Sequence, residues 1–133
     1  VIARVTDTHA LLWYLTDDPR LSEAVLIRFA EAEAGEVFIL IPSIVLVEAI
    51  YPFEKHRIPD ELIDEILRRI DQVGSPYRLA PLDLPVILAL RTIDREAIPD
   101  MPDRIIAATA LAHRVPLISR DRKIQVSNVS TIW

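Results

Sequence analysis

Val37 to Ile41 is an unbroken apolar run, Val-Phe-Ile-Leu-Ile, with Gly35 before it and Pro42 after it. A strand with one wet face alternates apolar and polar residues. A run without a polar residue must be covered on both faces, which is the situation of a central strand in a parallel sheet sandwiched by helices. The run therefore sets the frame into which every other segment must fit.

The remaining segments supply that frame. Ile2 to Thr6, Tyr77 to Ala80, Val115 to Ile118 and Val129 to Trp133 are further β-prone stretches. Between them the apolar residues recur at helical spacing. Ala10, Leu11, Leu12, Trp13 and Leu15 predict a helical turn or two after Asp7, and Asp17-Asp18-Pro19-Arg20 reads as a turn. Ser22 is placed as an N-cap, with Leu21 and Leu26 as a hydrophobic staple, for a helix from Glu23 to about Ala34 stopped by Gly35. Ile44 to Tyr51 follows Pro42-Ser43 as an apolar helix, and Pro52 to Arg57 reads as a loop or frayed helix end. Ile58, Leu62, Ile66, Ile70 and Val73 form the next apolar stripe, with Asp64–Arg68 and Glu65–Arg69 as ion pairs on the solvated side. Asp83 and Pro85 open a helix through Leu90, and Pro99 to His113 is the last long helical segment. Strands alternating with helices predict an α/β fold, a central parallel sheet flanked by helices on both faces. At 133 residues the chain has the length of one domain, spanning residues 1–133.

Composition narrows the chemistry. There is no cysteine, which removes disulfides, thiolate nucleophiles and cysteine-type zinc sites. No apolar run approaches the roughly 20 residues of a membrane span, and the amino end lacks a signal-peptide pattern, so a cytoplasmic location is expected. A net charge of -5 argues against holding nucleic acid by a general basic surface; any such role must come from local chemistry. Of the 15 basic residues only Lys55 and Lys123 are lysines, and Arg120 and Arg122 flank Asp121. Arginine is the residue suited to bidentate phosphate contacts, which makes Arg104, Arg120 and Arg122 candidates for a substrate phosphate.

Acids occupy unusual places in this pattern. Asp7 ends the first strand, Asp121 lies just past the Val115 to Ile118 strand, and Asp100 and Asp103 open the Ala-rich helix. An Asp at any of these helix starts could be no more than a cap. Glu48 is harder to explain that way, being the sole charge in Ile44 to Tyr51. Burying an ionised carboxylate costs several kcal/mol unless it is paired, protonated or bound to a metal. His9, beside Asp7, reads as structural. In an open α/β sheet ligands collect at the carboxyl ends of strands, where these acids fall. Carboxylates gathered in one pocket repel unless a cation neutralises them, and an all-oxygen set suits Mg²⁺ or Mn²⁺. Such sites cleave phosphodiesters by activating a water and stabilising charge on the reacting oxygens.

The order of these pieces resembles the PIN-domain ribonucleases, and among them the VapC-type toxins of toxin–antitoxin pairs. The resemblance covers nearly the whole chain. It rests on Asp7-Thr8-His9-Ala10-Leu11-Leu12-Trp13, the turn Asp18-Pro19-Arg20-Leu21-Ser22, Glu48 in its apolar helix, Asp100-Met101-Pro102-Asp103-Arg104 with Ile106-Ala107-Ala108-Thr109-Ala110, Leu117-Ile118-Ser119-Arg120-Asp121, and Thr131-Ile132-Trp133. It implies a PIN-like fold and a Mg²⁺- or Mn²⁺-dependent endoribonuclease whose catalytic acids are Asp7, Glu48, Asp103 and Asp121. Asp7 and Asp103 would be the main metal ligands, with Glu48, Asp121 and Asp100 as further candidates. The family usually reads Asp-Pro-x-Asp-Arg before this helix; here the proline comes one residue later, which leaves the roles of Asp100 and Asp103 open. The resemblance also implies an RNA substrate, a cognate antitoxin and a homodimer. The alternatives are an inactive PIN-like module that binds RNA or protein, against which all four acids count, and a phosphoacceptor receiver-like domain. The receiver needs an acidic pair at the first strand, but Thr8 follows Asp7. A phosphatase with an Asp nucleophile needs Asp-x-Asp there, and residue 9 is His.

Overall fold

The structure is a computed structural model and describes residues 2–51, 58–125 and 127–133. The segment Pro52 to Arg57, with His56, lies outside the described residues. Five strands, β1 (Ala3–Thr6), β2 (Phe38–Pro42), β3 (Tyr77–Ala80), β4 (Leu117–Ile118) and β5 (Thr131–Ile132), form one sheet in the order β3-β2-β1-β4-β5. Every pairing is parallel, with Val5 beside Leu40 on one side and Leu117 on the other. The Val37 to Ile41 run thus becomes an interior strand, and Ile39 and Ile41 are fully buried.

The helices among the described residues are α1 (Thr8–Leu15), α2 (Glu23–Glu33), α3 (Ser43–Ile50), α4 (Asp60–Asp71), α5 (Leu84–Leu90), α6 (Met101–His113) and the short α7 (Arg122–Gln125). The chain moves outward from β1 to β3 and then jumps back across β1 to β4. Because parallel crossovers are right-handed, this reversal puts α1–α4 on one face of the sheet and α5–α7 on the other. Both faces of the sheet are therefore covered, as the apolar run requires. No helix among the described residues is long and apolar enough to cross a membrane.

Local signals set most helix ends. Ser22 Oγ accepts from the Val25 amide at 3.2 Å at the start of α2, and Asp83 Oδ1 does the same for Val86 at 3.3 Å at the start of α5, with Pro85 in its first turn. Gly35 takes a positive φ of 81° just past the end of α2, a conformation that glycine adopts without a Cβ penalty. Removing the first cap has a measurable consequence: Ser22→Ala is expected to cost about 1 kcal/mol and to lower the melting temperature by about 3–5 °C. An unchanged melting curve would mean that the packing of Val25 and Phe29, and not the cap, holds this helix.

Two expectations need correction. Val73 does not continue the apolar stripe of α4: the helix ends at Asp71, and Val73 is 99% exposed. Asp64 does not pair with Arg68; Arg68 turns to Glu65 at 2.7 Å, which also binds Arg69 at 2.8 Å, because one carboxylate reached from i+3 and i+4 satisfies both guanidiniums. The turn of α7 has too few residues to show a helical period in sequence. Away from the sheet's carboxyl end, Glu33 Oε1 accepts from the hydroxyls of Tyr14 (3.0 Å) and Tyr77 (2.8 Å) and from Arg69 (3.0 Å), tying α1, α2, α4 and β3 together.

Candidate active site

The reversal of strand order at β1 decides where a site can form. At such a point neighbouring connections leave the sheet in opposite directions, and a crevice opens beyond the carboxyl ends of the strands. Asp7 immediately follows β1, and Asp121 lies just beyond the adjacent β4. Glu48 stands on α3, which springs directly from the end of β2, and Asp103 stands in the first turn of α6. All four line one cleft of about 700 Å³.

Asp7 does two jobs that sequence alone presents as alternatives. Its Oδ1 accepts from the Ala10 amide at 2.8 Å, capping α1, and the same carboxylate lines the cleft. Burial pushes its pKa above the ordinary value, and the charge of Asp121 adds to this; the Ala10 amide, the Ser119 hydroxyl and His9 act in the opposite direction. Glu48 is half-buried, and its Oε1 accepts from Thr8 Oγ1 at 2.6 Å, which fixes its direction. Its pKa is raised by burial and by the charges of Asp100 and Asp7, against the Thr8 hydrogen bond and His9. Asp103 is displaced too: burial, followed by the charges of Asp100, Asp121, Glu48 and Asp7, pushes it up to about 7. Burial and mutual repulsion thus both disfavour full ionisation of the acids in the cleft.

Asp100 and Asp103 differ in position. The Asp100 carboxylate accepts from the Asp103 amide at 3.1 Å as the cap of α6, is exposed and does not line the cleft, although its charge acts on Asp103 and Glu48. Of the basic candidates, Arg120 lines the cleft, whereas Arg104 and Arg122 do not. Arg104 Nε is buried without a hydrogen-bond partner among the described residues.

Sequence reasoning missed the other wall. Thr8, His9, Trp13, Arg20 and Trp133 also line the cleft. His9, read as structural, is exposed there, and its ring sits 5.5 Å from that of Trp13. Trp13 meets the edge of Trp133 at 5.9 Å, and both Arg20 and Arg120 lie over its ring. The i,i+4 spacing of His9 and Trp13 could have signalled a shared helix face. Nothing local places Arg20 or Trp133 beside them.

The donor set consists of carboxylate oxygens, the chemistry of a hard divalent ion. Among the described residues no three His, Asp or Glu side chains are already drawn together as a metal cage. A hard ion such as Mg²⁺ keeps several waters and takes one or two carboxylates directly, a demand that the acids lining the cleft can meet. The raised pKa values fit as well, since acids that repel one another are the ones a cation relieves.

No curated protein matches the sequence at a significant level. Solved structures do match in fold. The chain is similar to VapBC from Salmonella typhimurium bound to DNA (TM-score 0.71, 18% identity, 99% of this chain and 98% of that one). It is likewise similar to VapBC2 from Rickettsia felis bound to a promoter DNA fragment (TM-score 0.70, 17% identity, 98% of each chain). FitAcB from Neisseria gonorrhoeae is a third (TM-score 0.64, 19% identity, 98% of this chain and 96% of that one). At these identities the likeness establishes the fold, but the PIN domain family profile matches residues 4–128, nearly the whole chain, and with the parallel sheet and its cleft this shows that the chain belongs to the PIN domain family.

Proposed function

We propose that this protein is a divalent-metal-dependent endoribonuclease, the toxin component of a toxin–antitoxin pair. The observation that carries the reading is the convergence of Asp7, Glu48, Asp103 and Asp121, from four separate segments, on one cleft at the reversal of the sheet. PIN domains are generally nucleases. The toxin assignment draws on the similarity to the VapBC and FitAcB structures.

Asp7 and Asp103 would hold Mg²⁺ or Mn²⁺, with Glu48 and Asp121 completing the negative set and Asp100 contributing charge from outside. When bound, the ion supplies a lowered pKa for a water nucleophile and compensation for charge on the phosphate oxygens. The chain's own residues prepare the site. Thr8 aims Glu48 by donating to it, the Ala10 amide holds Asp7, and Asp103, with its pKa raised to about 7, would bind a proton and a cation in competition. Glu48 and Asp121 are then free to orient and deprotonate water. A cognate antitoxin and a second copy belong to the same reading. Exposed apolar side chains on α3 (Val47, Ile50) and on α5 (Leu84, Ile87, Leu88) are surfaces of the kind that mark protein contacts.

Purified protein incubated with single-stranded RNA should cleave it with Mg²⁺ or Mn²⁺ and stop when a chelator is added. Glu48→Gln and Asp121→Asn should each remove most of the activity, and the double variant little more, because residues acting as one unit are strongly non-additive. Independent, multiplicative losses would separate the two acids into different roles. Tight RNA binding without cleavage under either metal would favour the inactive binding module.

A further inference from the structure

The cleft contains cations and anions that do not pair with each other. Arg20 and Arg120 line it together with four acids, yet neither arginine forms a salt bridge to any of those acids among the described residues. Free guanidiniums in an acidic cleft would swing onto the nearest carboxylate. Here they are held back. The Arg20 guanidinium carbon lies 4.6 Å and that of Arg120 4.7 Å from the Trp13 ring centroid, the range of a cation–π contact. Asp18, which does not line the cleft, grips Arg20 through Nε at 3.0 Å and Nη2 at 2.7 Å, and Nη1 has no hydrogen-bond partner among the described residues. Trp13 is 8% exposed and braced edge-on by Trp133, so the platform has little freedom to move.

We propose that Arg20 and Arg120, positioned by Trp13, form a phosphate subsite for a nucleotide flanking the bond that is cut. The two sets of opposite charge share one cleft without pairing across it: the acids call for a cation, while Arg120 and the edge of the Arg20 guanidinium not held by Asp18 can take an anion. A ligand that completes both must carry one phosphate to the metal side and another to the arginine side, which describes a polynucleotide and not a single nucleotide. Guanidinium donors match phosphate oxygens in geometry as well as charge. Trp13 is a positioning residue, since its ring is covered by the groups it holds. Arg20 belongs to the turn Asp18-Pro19-Arg20, where Asp18 accepts from its amide, Nε and Nη2 and so fixes the direction of the guanidinium.

This inference rests on the nuclease reading for its substrate, so its test separates binding from cleavage. Binding of an oligouridylate of about twelve nucleotides is measured with Mn²⁺ in the non-cleaving Asp7→Asn background. Intrinsic fluorescence serves as the signal, because the chain's 2 tryptophans both line the cleft. Arg20→Gln and Arg120→Gln should each weaken binding by roughly tenfold, the loss of a charged hydrogen bond, and each should lower the slope of log affinity against log salt by about 0.7. In the cleaving protein the same changes should raise KM with kcat within about twofold, the mark of binding lost equally from ground and transition states. Trp13→Phe, which keeps a ring, should retain most of the affinity, while Trp13→Leu should lose as much as the two arginine changes together. Wild-type affinity and salt slope in both arginine variants would overturn the subsite, even if cleavage were established. Loss of binding in those variants without cleavage by the parent protein would keep the subsite and remove the nuclease reading.

Discussion

Asp7→Asn is expected to reduce metal-dependent RNA cleavage by more than about a hundredfold, since loss of a residue that merely supports a metal ligand already costs 10- to 100-fold. The same variant should melt no lower than the parent protein when metal is absent. These two outcomes follow from the double role of the side chain. As a cap, Asp7 accepts from the Ala10 amide, and asparagine caps helices as well as aspartate does, so α1 keeps its start. As a charge, it is buried beside other acids, and burial raises its pKa. A neutral amide of nearly the same size removes that repulsion and keeps the hydrogen bond. The comparison with Asp7→Ala is informative, because that change should lose the cap too and cost about 1 kcal/mol. If Asp7→Asn cleaved RNA at the parental rate, Asp7 would be a cap and no more; if it failed to fold, the cap would depend on its charge.

Asp103 should make stability fall as pH rises. Its pKa in the folded chain is about 7, against an ordinary value of 3.8. Between those values the folded state carries a proton that the unfolded state has lost. The stability contributed by this group is therefore fully present below about 3.8 and lost as pH rises through about 7. Glu48 and Asp7, both raised by burial, act in the same direction. Metal-free protein should accordingly melt lower at the alkaline end of a pH 5 to 8 series, and Asp103→Asn should flatten the trend. With the cation proposed for the cleft, Mn²⁺ should reverse it, because a bound ion would take the place of the proton. An ion that binds only the folded chain adds about 2.7 kcal/mol at a hundred times its Kd, and the gain should grow across the interval in which Asp103 deprotonates. Equal Mn²⁺ shifts for Asp103→Asn and the parent at the alkaline end would remove Asp103 from the ligand set.

The legible parts of this protein were those written in near neighbours. Ser22, Asp83 and Gly35 announce helix ends through hydrogen bonds or φ values within three residues of themselves, and the structure has the helices they predict. Val37 to Ile41 needed no context to declare itself a buried strand, and Glu48 stood out by charge in apolar company. The misreadings also have local causes. Val73 fits the helical period but follows the end of α4, and periodicity carries no information about where a helix stops. Asp64 and Glu65 were equally spaced for ion pairs, and the choice between them depended on side-chain directions that spacing does not encode.

By itself, then, the sequence determined the kinds of element, the parallel sheet that must cover an all-apolar strand, and one acid, Glu48, that local structure could not explain. Only the tertiary structure decided what the four acids of the cleft share. Asp7 and Asp121 become neighbours because β4 returns to the free side of β1, and Glu48 joins them because Thr8, forty residues away, donates to it. Asp103 owes its raised pKa first to burial and then to the charges of Asp100 beside it and of Asp121, Glu48 and Asp7 from other segments, and Arg20 and Arg120 meet over one indole ring. A cap or a hydrophobic period is a relation within a turn or two of chain, where covalent geometry fixes the distance. A cleft is a relation among segments whose separation is set by strand order and packing, and no local pattern specifies it.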